Sequence, residues 1–513
     1  MAIFSFANIA ISLVSLWIAR RIYWETTTGA RRRALAKQHG CLSAKKLQTV
    51  NIFLGIDHIV RNFRAYRQNR LLESWTQLLT ERNTHTIAMD IAGQRFYITN
   101  EPENVKTMLS TNFDHWSIGR ERITQMSSYL GHGIFTTEGA AWKHSREMLR
   151  PCFERSQVAD ISILEKHTDR LIEQLPKDGT TVDLQPLFHQ LTLDIATEFL
   201  FGRSTDALDR SREDKMVHEF IEAFEYCENP FSNQNNERWG MLGMFLPDSK
   251  FKKCAKVIQD FADKLIEEEI STRATTAAQQ APTKRYVFLD GLLSQTQDRN
   301  LIRAELLNIL LAGRDTTASL LSNLLFEIPR HPDILARLHR EIVSHVGDTV
   351  PTYQQLKEMK YLKAVMSESQ RLYPIVPTNS REALKDTVLP RGGGPDSTAP
   401  ILVPKSALVA YHPYAMHRRE DIYGEDTHSF DPTRWLDDER DGAPLRPGWG
   451  YIPFSGGPRV CIGQNFALTE TAFVLVRLLQ LFEVESRDEQ CWREKLSIVC
   501  TGLGGCKVGL TAR

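Results

Sequence analysis

The sequence predicts a large, mainly α-helical domain with small β-sheets, preceded by an N-terminal membrane anchor helix. Three observations support this. Residues from about 155 to 275 show helical periodicity, and residues 301–328 form a long apolar segment that Pro329 ends. No long Ser/Gly linker or internal repeat divides the 513 residues. We therefore predict an anchor at 1–24, a linker and membrane-proximal segment at 25–60, and one main domain at 61–513.

The N-terminal segment begins with 17 uncharged residues, 3–19, which is at the short end for a transmembrane helix. Arg20, Arg21 and the arginines at 31–33 follow this run. A cleavable signal peptide is the alternative, but its positive charges precede the apolar run. The positive-inside rule then keeps the main domain on the cytoplasmic side. The segment therefore predicts a single-pass signal anchor in contact with membrane lipid.

Charge and cysteine content exclude some functions. The 63 basic and 63 acidic residues cancel, which argues against a nucleic-acid-binding protein. The eight cysteines are scattered along the chain, unlike the disulfide framework of a small secreted domain, and predict a reducing compartment. Cys491, Cys500 and Cys506 leave a structural zinc protein as an alternative, although no histidine stands at ligand spacing.

The β-structure is predicted to be short. Residues 87–99 alternate in polarity around Gly93, which indicates a pair of strands. Residues 389–396 are rich in glycine but lack the Lys-Ser/Thr ending of a phosphate-binding loop, so they predict a β-turn. Pro374 and Pro377 favour an extended path over residues 373–381.

The long apolar helix contains a locally unfavourable segment. Gly313, Asp315 and Thr316 are poor helix formers, and burying such polar groups without partners is costly. A sequence that tolerates this choice usually does so at a functional site. The structural alternative is a threonine that bonds back to a carbonyl and bends the helix. Both readings are compatible with a widened helix that forms a groove.

A Gly- and Pro-rich loop near the C-terminus carries Cys461 to the start of an apolar helix predicted at 464–481. Gly456, Gly457 and Gly463 permit the close approach of a flat ligand. Arg459 provides a cation for an acidic group. The helix N-terminus is expected to favour a thiolate at Cys461. A buried structural cysteine is the alternative.

The order Phe454, Gly457, Arg459, Cys461, Gly463 resembles the proximal haem loop of the cytochrome P450 family. Runs at 130–136, 142–151, 286–290 and 307–317 resemble its fungal alkane- and fatty-acid-hydroxylating subfamily, and the resemblance covers the chain from about residue 40 to the end. It implies a cytochrome P450 catalytic domain at 61–513, with haem between the long central helix and the cysteine loop.

The resemblance also implies a role for each matching residue. Cys461 would be the axial ligand of heme b, beside Phe454 and Gly463. Asp315 and Thr316 would pass protons to bound dioxygen. The haem propionates would be held by Trp142, Arg146, Arg381, His417 and Arg459. A structural ion cluster would comprise Glu368, Arg371 and Arg434. Candidate substrate contacts are Trp116, Ile118, Ile123, Ala312, Ile375, Val376 and Pro377.

The implied reaction inserts one oxygen atom of O2 into a C–H bond of an apolar substrate. The chain has no flavin- or nicotinamide-type Gly fingerprint, so electrons are expected from NADPH through a separate reductase. A membrane-bound enzyme of this kind points to the endoplasmic reticulum. The subfamily implies terminal or near-terminal hydroxylation of a fatty acid or alkane, with Arg120 or Arg122 as candidates to bind a carboxylate.

Two alternatives remain open at this point. A relative recruited to secondary metabolism would oxidise an alkyl-bearing metabolite instead of a fatty acid. A haem-thiolate isomerase or sensor would not activate oxygen and would not need the acid–alcohol pair, which is intact here as Asp315 and Thr316.

Overall fold

The structure is a computed structural model of the full chain. It describes all residues except 1–5, 50–54, 155–156, 158, 210–213, 230–232, 240–241, 244–245, 278–286 and 438–444.

The described part of the chain is mainly helical, as predicted. Its α-helices, in chain order, are α1 (Phe6–Trp24), α2 (Ala30–Gln38), α3 (Ile56–Arg67), α4 (Leu71–Glu81), α5 (Pro102–Lys106), α6 (Arg120–Leu130), α7 (Gly139–Leu149), α8 (Ser162–Gln174), α9 (Leu184–Phe201), α10 (Lys215–Glu228), α11 (Asn236–Trp239), α12 (Ser249–Ala277), α13 (Phe288–Leu293), α14 (Arg299–Glu327), α15 (Pro332–His345), α16 (Tyr353–Glu358), α17 (Lys360–Leu372), α18 (Pro413–Met416), α19 (Glu420–Tyr423) and α20 (Gln464–Leu481).

The strands are short and form four small sheets within the described residues. They are β1 (Lys45–Lys46), β2 (Thr86–Ile91), β3 (Gln94–Thr99), β4 (Trp116–Ser117), β5 (Asp178–Asp183), β6 (Asn379–Ala383), β7 (Thr387–Gly393), β8 (Ala399–Val403), β9 (Leu408–Tyr411), β10 (Phe482–Ser486), β11 (Glu494–Leu496), β12 (Cys500–Gly502) and β13 (Lys507–Ala512). The sheet orders are β1-β2-β3-β9-β6-β4, β10-β13-β5, β11-β12 and β7-β8.

The chain forms two compact units whose segments alternate along the sequence. The first comprises Met1–Ile59, Gln77–Ser117 and Ser380–His412. It contains the six-stranded sheet, in which β2 and β3 are antiparallel and Met89 faces Phe96. This hairpin confirms the strands predicted around Gly93. The second unit comprises Val60–Thr76, Ile118–Asn379 and Pro413–Arg513.

Helix α14 is the centre of the second unit. It contacts α9, α12, α17 and α20. It begins after Asp298, whose carboxylate accepts hydrogen bonds from the amides of Asn300 and Leu301. This cap satisfies two amide groups that have no partner inside the helix. Most side chains of α14 are buried, including polar ones such as Glu305, Asn308 and Asp315, as expected for a helix surrounded by other elements. The predicted bounds of α14 and α20 are confirmed to within two residues.

Helix α1 covers the described part of the predicted anchor, 1–24. Ile11, Leu13, Leu16 and Trp17 are each more than half exposed. No helix of the described residues is long and apolar enough to span a membrane, so the anchor is not confirmed. The predicted division at residues 24 and 60 stays a prediction.

Candidate active site

The loop before α20 turns sharply and presents Cys461. The Cys461 amide donates a hydrogen bond to the Phe454 carbonyl over 3.0 Å, and the Val460 amide donates to the Gly457 carbonyl over 3.0 Å. Gly457 has φ of 65°, a conformation that glycine adopts without steric cost. Gly463 immediately precedes α20. The loop is therefore fixed by its own backbone hydrogen bonds.

The Cys461 side chain is accessible, yet burial by the surrounding protein raises its pKa. Both observations hold if the thiol faces a space enclosed by protein instead of open solvent. The Gly463 amide and the charge of Arg146 lower the pKa but do not outweigh burial. Without a coordinated metal, burial therefore outweighs these two influences, and a thiolate at Cys461 stays a prediction. A coordinated metal ion deprotonates a thiol outright.

Trp142 and Arg459 form one contact beside this space. The Arg459 guanidinium carbon lies 4.5 Å from the centroid of the buried Trp142 ring, a cation–π distance. Arg459 Nη2 donates a hydrogen bond of 2.8 Å to the Thr137 carbonyl. Arg146 lies one turn after Trp142 on α7, where burial lowers its pKa and Cys461 raises it. Two arginines are thus held close to the cysteine loop.

His417 offers a buried hydrogen-bond donor. Its Nε2 accepts a hydrogen bond of 3.2 Å from the Ile452 amide, which assigns the ring proton to Nδ1. Within the described residues, Nδ1 has no partner in good hydrogen-bond geometry, although the backbone of Gln370 and Arg371 lies close enough to act on the ring. Burial, together with the positive charges of Arg418 and Arg371, lowers the pKa of His417 to about 3, so the ring is neutral at pH 7. A buried N–H group without a partner fits a carboxylate acceptor such as a haem propionate.

Arg381 lies in the first unit, on β6, and is buried. Its guanidinium carbon lies 5.7 Å from the centroid of the Tyr411 ring, and its Nη1 donates to the Ser380 carbonyl over 2.7 Å. Trp116 belongs to the same unit, on β4.

One face of α14 is accessible. Ala312, Gly313 and Thr316 are only half-buried within an otherwise buried stretch. The Thr316 hydroxyl donates a hydrogen bond of 2.6 Å to the Ala312 carbonyl. The helix is regular through this segment, so the predicted widening is not found. A Cβ atom at Gly313 would lie 3.6 Å from the Ala196 Cβ, an ordinary contact.

Asp315 is buried and contacts other ionisable groups. Its Oδ1 lies 3.0 Å from His189 Nδ1 and 3.5 Å from Arg314 Nε. Its carboxyl also lies within hydrogen-bonding reach of the Glu228 carboxyl. The sequence-based interpretation did not include His189 or Glu228, because both are distant in sequence and carry no local motif.

The three predicted members of the structural ion cluster are together and buried. Arg371 Nη2 and Nε donate to the two oxygens of Glu368 over 2.7 and 2.9 Å. Arg434 Nε lies 3.2 Å from Glu368 Oε1. The Trp435 indole N–H also donates to Glu368, over 3.0 Å, a contact that sequence reasoning missed. This geometry gives both carboxylate oxygens charged partners.

Two further residues of α14 support the loop that binds Arg459. Glu305 Oε2 accepts a hydrogen bond of 3.1 Å from the Ile134 amide, and Asn308 Oδ1 accepts one of 2.9 Å from the Phe135 amide. Burial raises the pKa of Glu305 to about 7. Sequence reasoning missed both residues, although a buried glutamate in an apolar helix is itself a signal.

The remaining candidate pocket residues differ in exposure. Ile118, Ile375 and Pro377 are buried, whereas Ile123 and Val376 are half-buried. The backbone of the 375–377 segment is fixed, since the Ile375 carbonyl accepts from Cys500 and the Pro377 carbonyl from Tyr414.

The two arginines suggested for a substrate carboxylate lie on α6. Arg122 Nη1 already donates a hydrogen bond of 2.9 Å to Asn379 Oδ1. Arg120 is exposed.

These features together fit a haem with a thiolate ligand. Cys461 offers an accessible sulfur, Arg146 and Arg459 offer positive charge, and His417 offers an unused donor for a propionate. The part of the chain that the structure describes contains no group of three or more His, Cys, Asp or Glu side chains arranged to hold a metal ion. The zinc alternative gains no support there.

Comparison with known proteins identifies the family. The cytochrome P450 family model matches residues 58–502. The chain is 36% identical to the cytochrome P450 monooxygenase himC of Aspergillus japonicus, covering 99% of this chain and 90% of the relative. It is 39% identical to cytochrome P450 52A13 of Debaryomyces hansenii, covering 96% and 94%. It is 42% identical to cytochrome P450 52A5 of Candida maltosa, covering 80% and 79%.

Proposed function

Because this chain belongs to the cytochrome P450 family and is a monooxygenase, we propose that it hydroxylates a fatty acid or alkane at or near the end of its chain. The observation that carries this proposal is the half-buried face of α14, formed by Ala312, Gly313 and Thr316. An apolar chain requires a mostly apolar channel with few polar groups. The resemblance to the alkane-hydroxylating subfamily favours this substrate class.

The cofactor is a haem with a thiolate ligand, and we assign the iron ligand to Cys461. The haem, when bound, supplies the oxygen chemistry, and a thiolate ligand favours cleavage of the O–O bond. Arg146, Arg459 and the Nδ1–H of His417 are proposed to bind the propionates. Trp142 would orient Arg459 through the contact between their side chains.

Phe454 and Gly463 are proposed to line the haem beside Cys461. Arg381 is proposed to bind a propionate as well, by its match to the family pattern alone.

Protons are proposed to reach the reacting oxygen through Thr316, with Asp315 as their source. The Thr316 hydroxyl is bonded to the Ala312 carbonyl in the structure, and rotation about χ1 would release it toward the accessible side of α14. Asp315 is buried next to the accessible face, in contact with His189 and Glu228. Proton delivery therefore requires a change of side-chain rotamer.

Electrons are proposed to come from NADPH through a separate reductase, and the chain is proposed to reside at the endoplasmic reticulum membrane with its catalytic domain in the cytoplasm. The exposed apolar side chains of α1 support attachment to lipid. Alkaline carbonate extraction of membranes tests this. Full release of the intact chain into the supernatant would contradict membrane anchoring.

A second substrate class remains: an alkyl-bearing secondary metabolite. The himC monooxygenase and the two relatives named cytochrome P450 52 match this chain at similar identity, 36–42%. Sequence identity therefore does not decide between the two classes.

The test is a spectral screen followed by turnover. Binding of a substrate near the haem shifts its absorption, so fatty acids, alkanes and polyketide-like ligands are titrated into the purified holoprotein. The ligands that shift the spectrum are then incubated with NADPH and a fungal reductase. Hydroxylated fatty acid or alkane supports the proposal, and turnover of the polyketide-like ligands alone supports the second class. A bound haem without substrate-dependent NADPH consumption would favour the isomerase or sensor.

A further inference from the structure

Ionisable side chains from three helices meet behind the accessible face of α14. Arg314 and Asp315 come from α14, Glu228 from the end of α10, and His189 from α9. Arg314, Asp315 and Glu228 are only 2%, 4% and 5% exposed. Charged side chains are rarely buried to this degree unless each has a partner.

Asp315 has cationic partners and Glu228 has few. The Oδ1 atom of Asp315 lies close to both His189 Nδ1 and Arg314 Nε. Neither Oδ2 of Asp315 nor Oε1 of Glu228 receives a hydrogen bond from any amide, hydroxyl or cationic donor in the described residues. The two carboxyls are nevertheless in hydrogen-bonding contact with each other. Two carboxylates in contact repel each other, whereas one shared proton turns the contact into a strong hydrogen bond.

The surrounding charges favour Glu228 as the carrier of this proton. Burial and the negative charge of Asp315 raise the pKa of Glu228 well above its usual range. Burial alone would raise the pKa of Asp315 too, but Arg314 and His189 lower it below its usual range. The other ionisable groups that face the pair from neighbouring elements are Glu225, Cys227, Tyr129 and Arg122.

Of these other groups only Arg122 is cationic, and its Nη1 donates a hydrogen bond to Asn379 Oδ1. The Glu225 carboxylate adds negative charge and lies 3.7 Å from Arg314 Nη2. Burial raises the pKa of Tyr129 well above its usual range, and burial also raises the pKa of Cys227, so both side chains remain uncharged near neutral pH.

We propose that Glu228 and Asp315 form a buried carboxyl pair that holds one proton, and that His189 connects this pair to solvent. The proton rests on Glu228 and is donated in a hydrogen bond to the Asp315 carboxylate. The His189 side chain is 24% exposed and touches Asp315 through Nδ1, so it reaches both the pair and water. When the pair delivers its proton, that proton moves from Glu228 to Asp315 and on toward Thr316, and His189 then passes one proton from solvent back to the pair. Glu228 and His189 are positioning residues in this scheme.

This inference deepens the proposed role of Asp315 in proton delivery, and it can be tested without turnover. Infrared spectra of the resting holoprotein at pH 7 report protonated carboxyls through their C=O stretch. Glu228→Gln is expected to remove one such band, and Asp315→Asn is expected to shift the same band because its hydrogen-bond acceptor changes. A Glu228→Gln spectrum that loses no protonated band would mean that Glu228 is ionised and would overturn the proposal.

Glu470 provides the matched control. It is also buried, on α20, and burial raises its pKa well above the usual range. Glu470→Gln is expected to remove a different band, one that Asp315→Asn leaves unshifted. Should Glu228→Gln fail to fold, the comparison of Asp315→Asn with wild type decides alone, since an unshifted set of bands would contradict the pair.

The role of His189 has its own measurement. His189→Gln keeps a donor toward Asp315 but cannot carry a proton. Exchange of the Glu228 band after transfer to heavy water is expected to slow by about 10²-fold, the lower end of what a positioned acid–base group contributes. An unchanged exchange rate would contradict the connection through His189 and leave the carboxyl pair standing. Neither result depends on which substrate the enzyme hydroxylates.

Discussion

Thr316 and Thr317 are neighbours on α14 but lie in different surroundings. Thr316 is half-buried on the accessible face and donates to the Ala312 carbonyl. Thr317 is buried, and its hydroxyl has no hydrogen-bond partner among the residues described. Alanine variants at the two positions can therefore distinguish a role in proton delivery from the general effect of removing a threonine hydroxyl.

Thr316→Ala is expected to uncouple oxygen consumption from product formation, because the proposed hydroxyl donor is gone. Product formed per NADPH consumed should fall by on the order of tenfold, measured with reductase and a fatty acid that shifts the spectrum. Thr317→Ala is the control and should retain coupling. Full coupling in Thr316→Ala would contradict the proposed proton route.

Cys461→Ser is expected to abolish the red-shifted absorption band of the reduced, carbon-monoxide-treated protein, since a hydroxyl cannot replace the thiolate as iron ligand. Cys491→Ser removes another exposed cysteine and should leave that band unchanged. A normal band in Cys461→Ser would place the iron ligand elsewhere in the chain.

At the scale of elements, a buried ion cluster joins α17 to the segment that carries Arg434. The Glu368 carboxylate forms ion pairs with Arg371 of its own helix and with Arg434 of the later segment. All three side chains are buried. Arg371 also donates to the carbonyls of Thr427 and His417 over 2.7 and 3.0 Å. Because His417 is a proposed propionate donor, this cluster also fixes one side of the haem site.

Glu368→Gln is expected to lower the free energy of unfolding by about 3–5 kcal/mol, because the buried Arg371 loses its carboxylate partner, whereas Arg434 keeps Asp426. Chemical denaturation of the holoprotein measures this change. Glu73→Gln is the control, since Arg70 and Glu73 form an exposed pair at the same three-residue spacing. An equal, small effect at both sites would contradict the structural role of the buried cluster.

Gly313→Ala is expected to raise the free energy of unfolding by about 0.5–1 kcal/mol, because alanine favours helix and its Cβ meets only an ordinary contact at Ala196. Gly133→Ala is the matched opposite case. Its Cβ would lie 2.6 Å from Asn308 Nδ2, so it should destabilise the protein. Thermal unfolding of the two variants distinguishes them, and destabilisation by Gly313→Ala would show that this position needs glycine.

At the scale of the whole molecule, Glu305 makes stability depend on pH. Its carboxyl is fully buried and its pKa is raised from 4.5 to about 7. Between these two values the folded state holds a proton that the unfolded state releases. The contribution of Glu305 is therefore fully present below about pH 4.5 and is lost as the pH rises through about 7.

Glu305→Gln is expected to flatten this dependence. Between pH 4.5 and pH 8, the free energy of unfolding of wild type should fall by roughly 3 kcal/mol more than that of the variant. Denaturation curves at several pH values measure the difference, and the haem spectrum checks that the loop at residues 134–137 remains in place. Identical pH profiles for the two proteins would contradict a raised pKa at Glu305.

The amino-acid sequence by itself determined the family, the cysteine loop and the bounds of the main helices. Each of these depends on residues close together in the chain, such as the glycines beside Cys461 or the apolar run of α14. The widened helix was not found, and a thiolate at Cys461 stays a prediction. A regular helix accommodates Thr316 through a single bond to Ala312, and burial of Cys461 outweighs the helix N-terminus.

Only the tertiary structure decided which side chains surround the site. His189 and Asp315 are 126 positions apart, and Ile134 and Glu305 are 171 apart. The free Nδ1–H of His417 likewise depends on an amide 35 positions away. Such pairs leave no periodic or local pattern, because packing of separate helices and loops creates them. Their protonation states follow from burial and neighbouring charge, which exist only once the chain has folded.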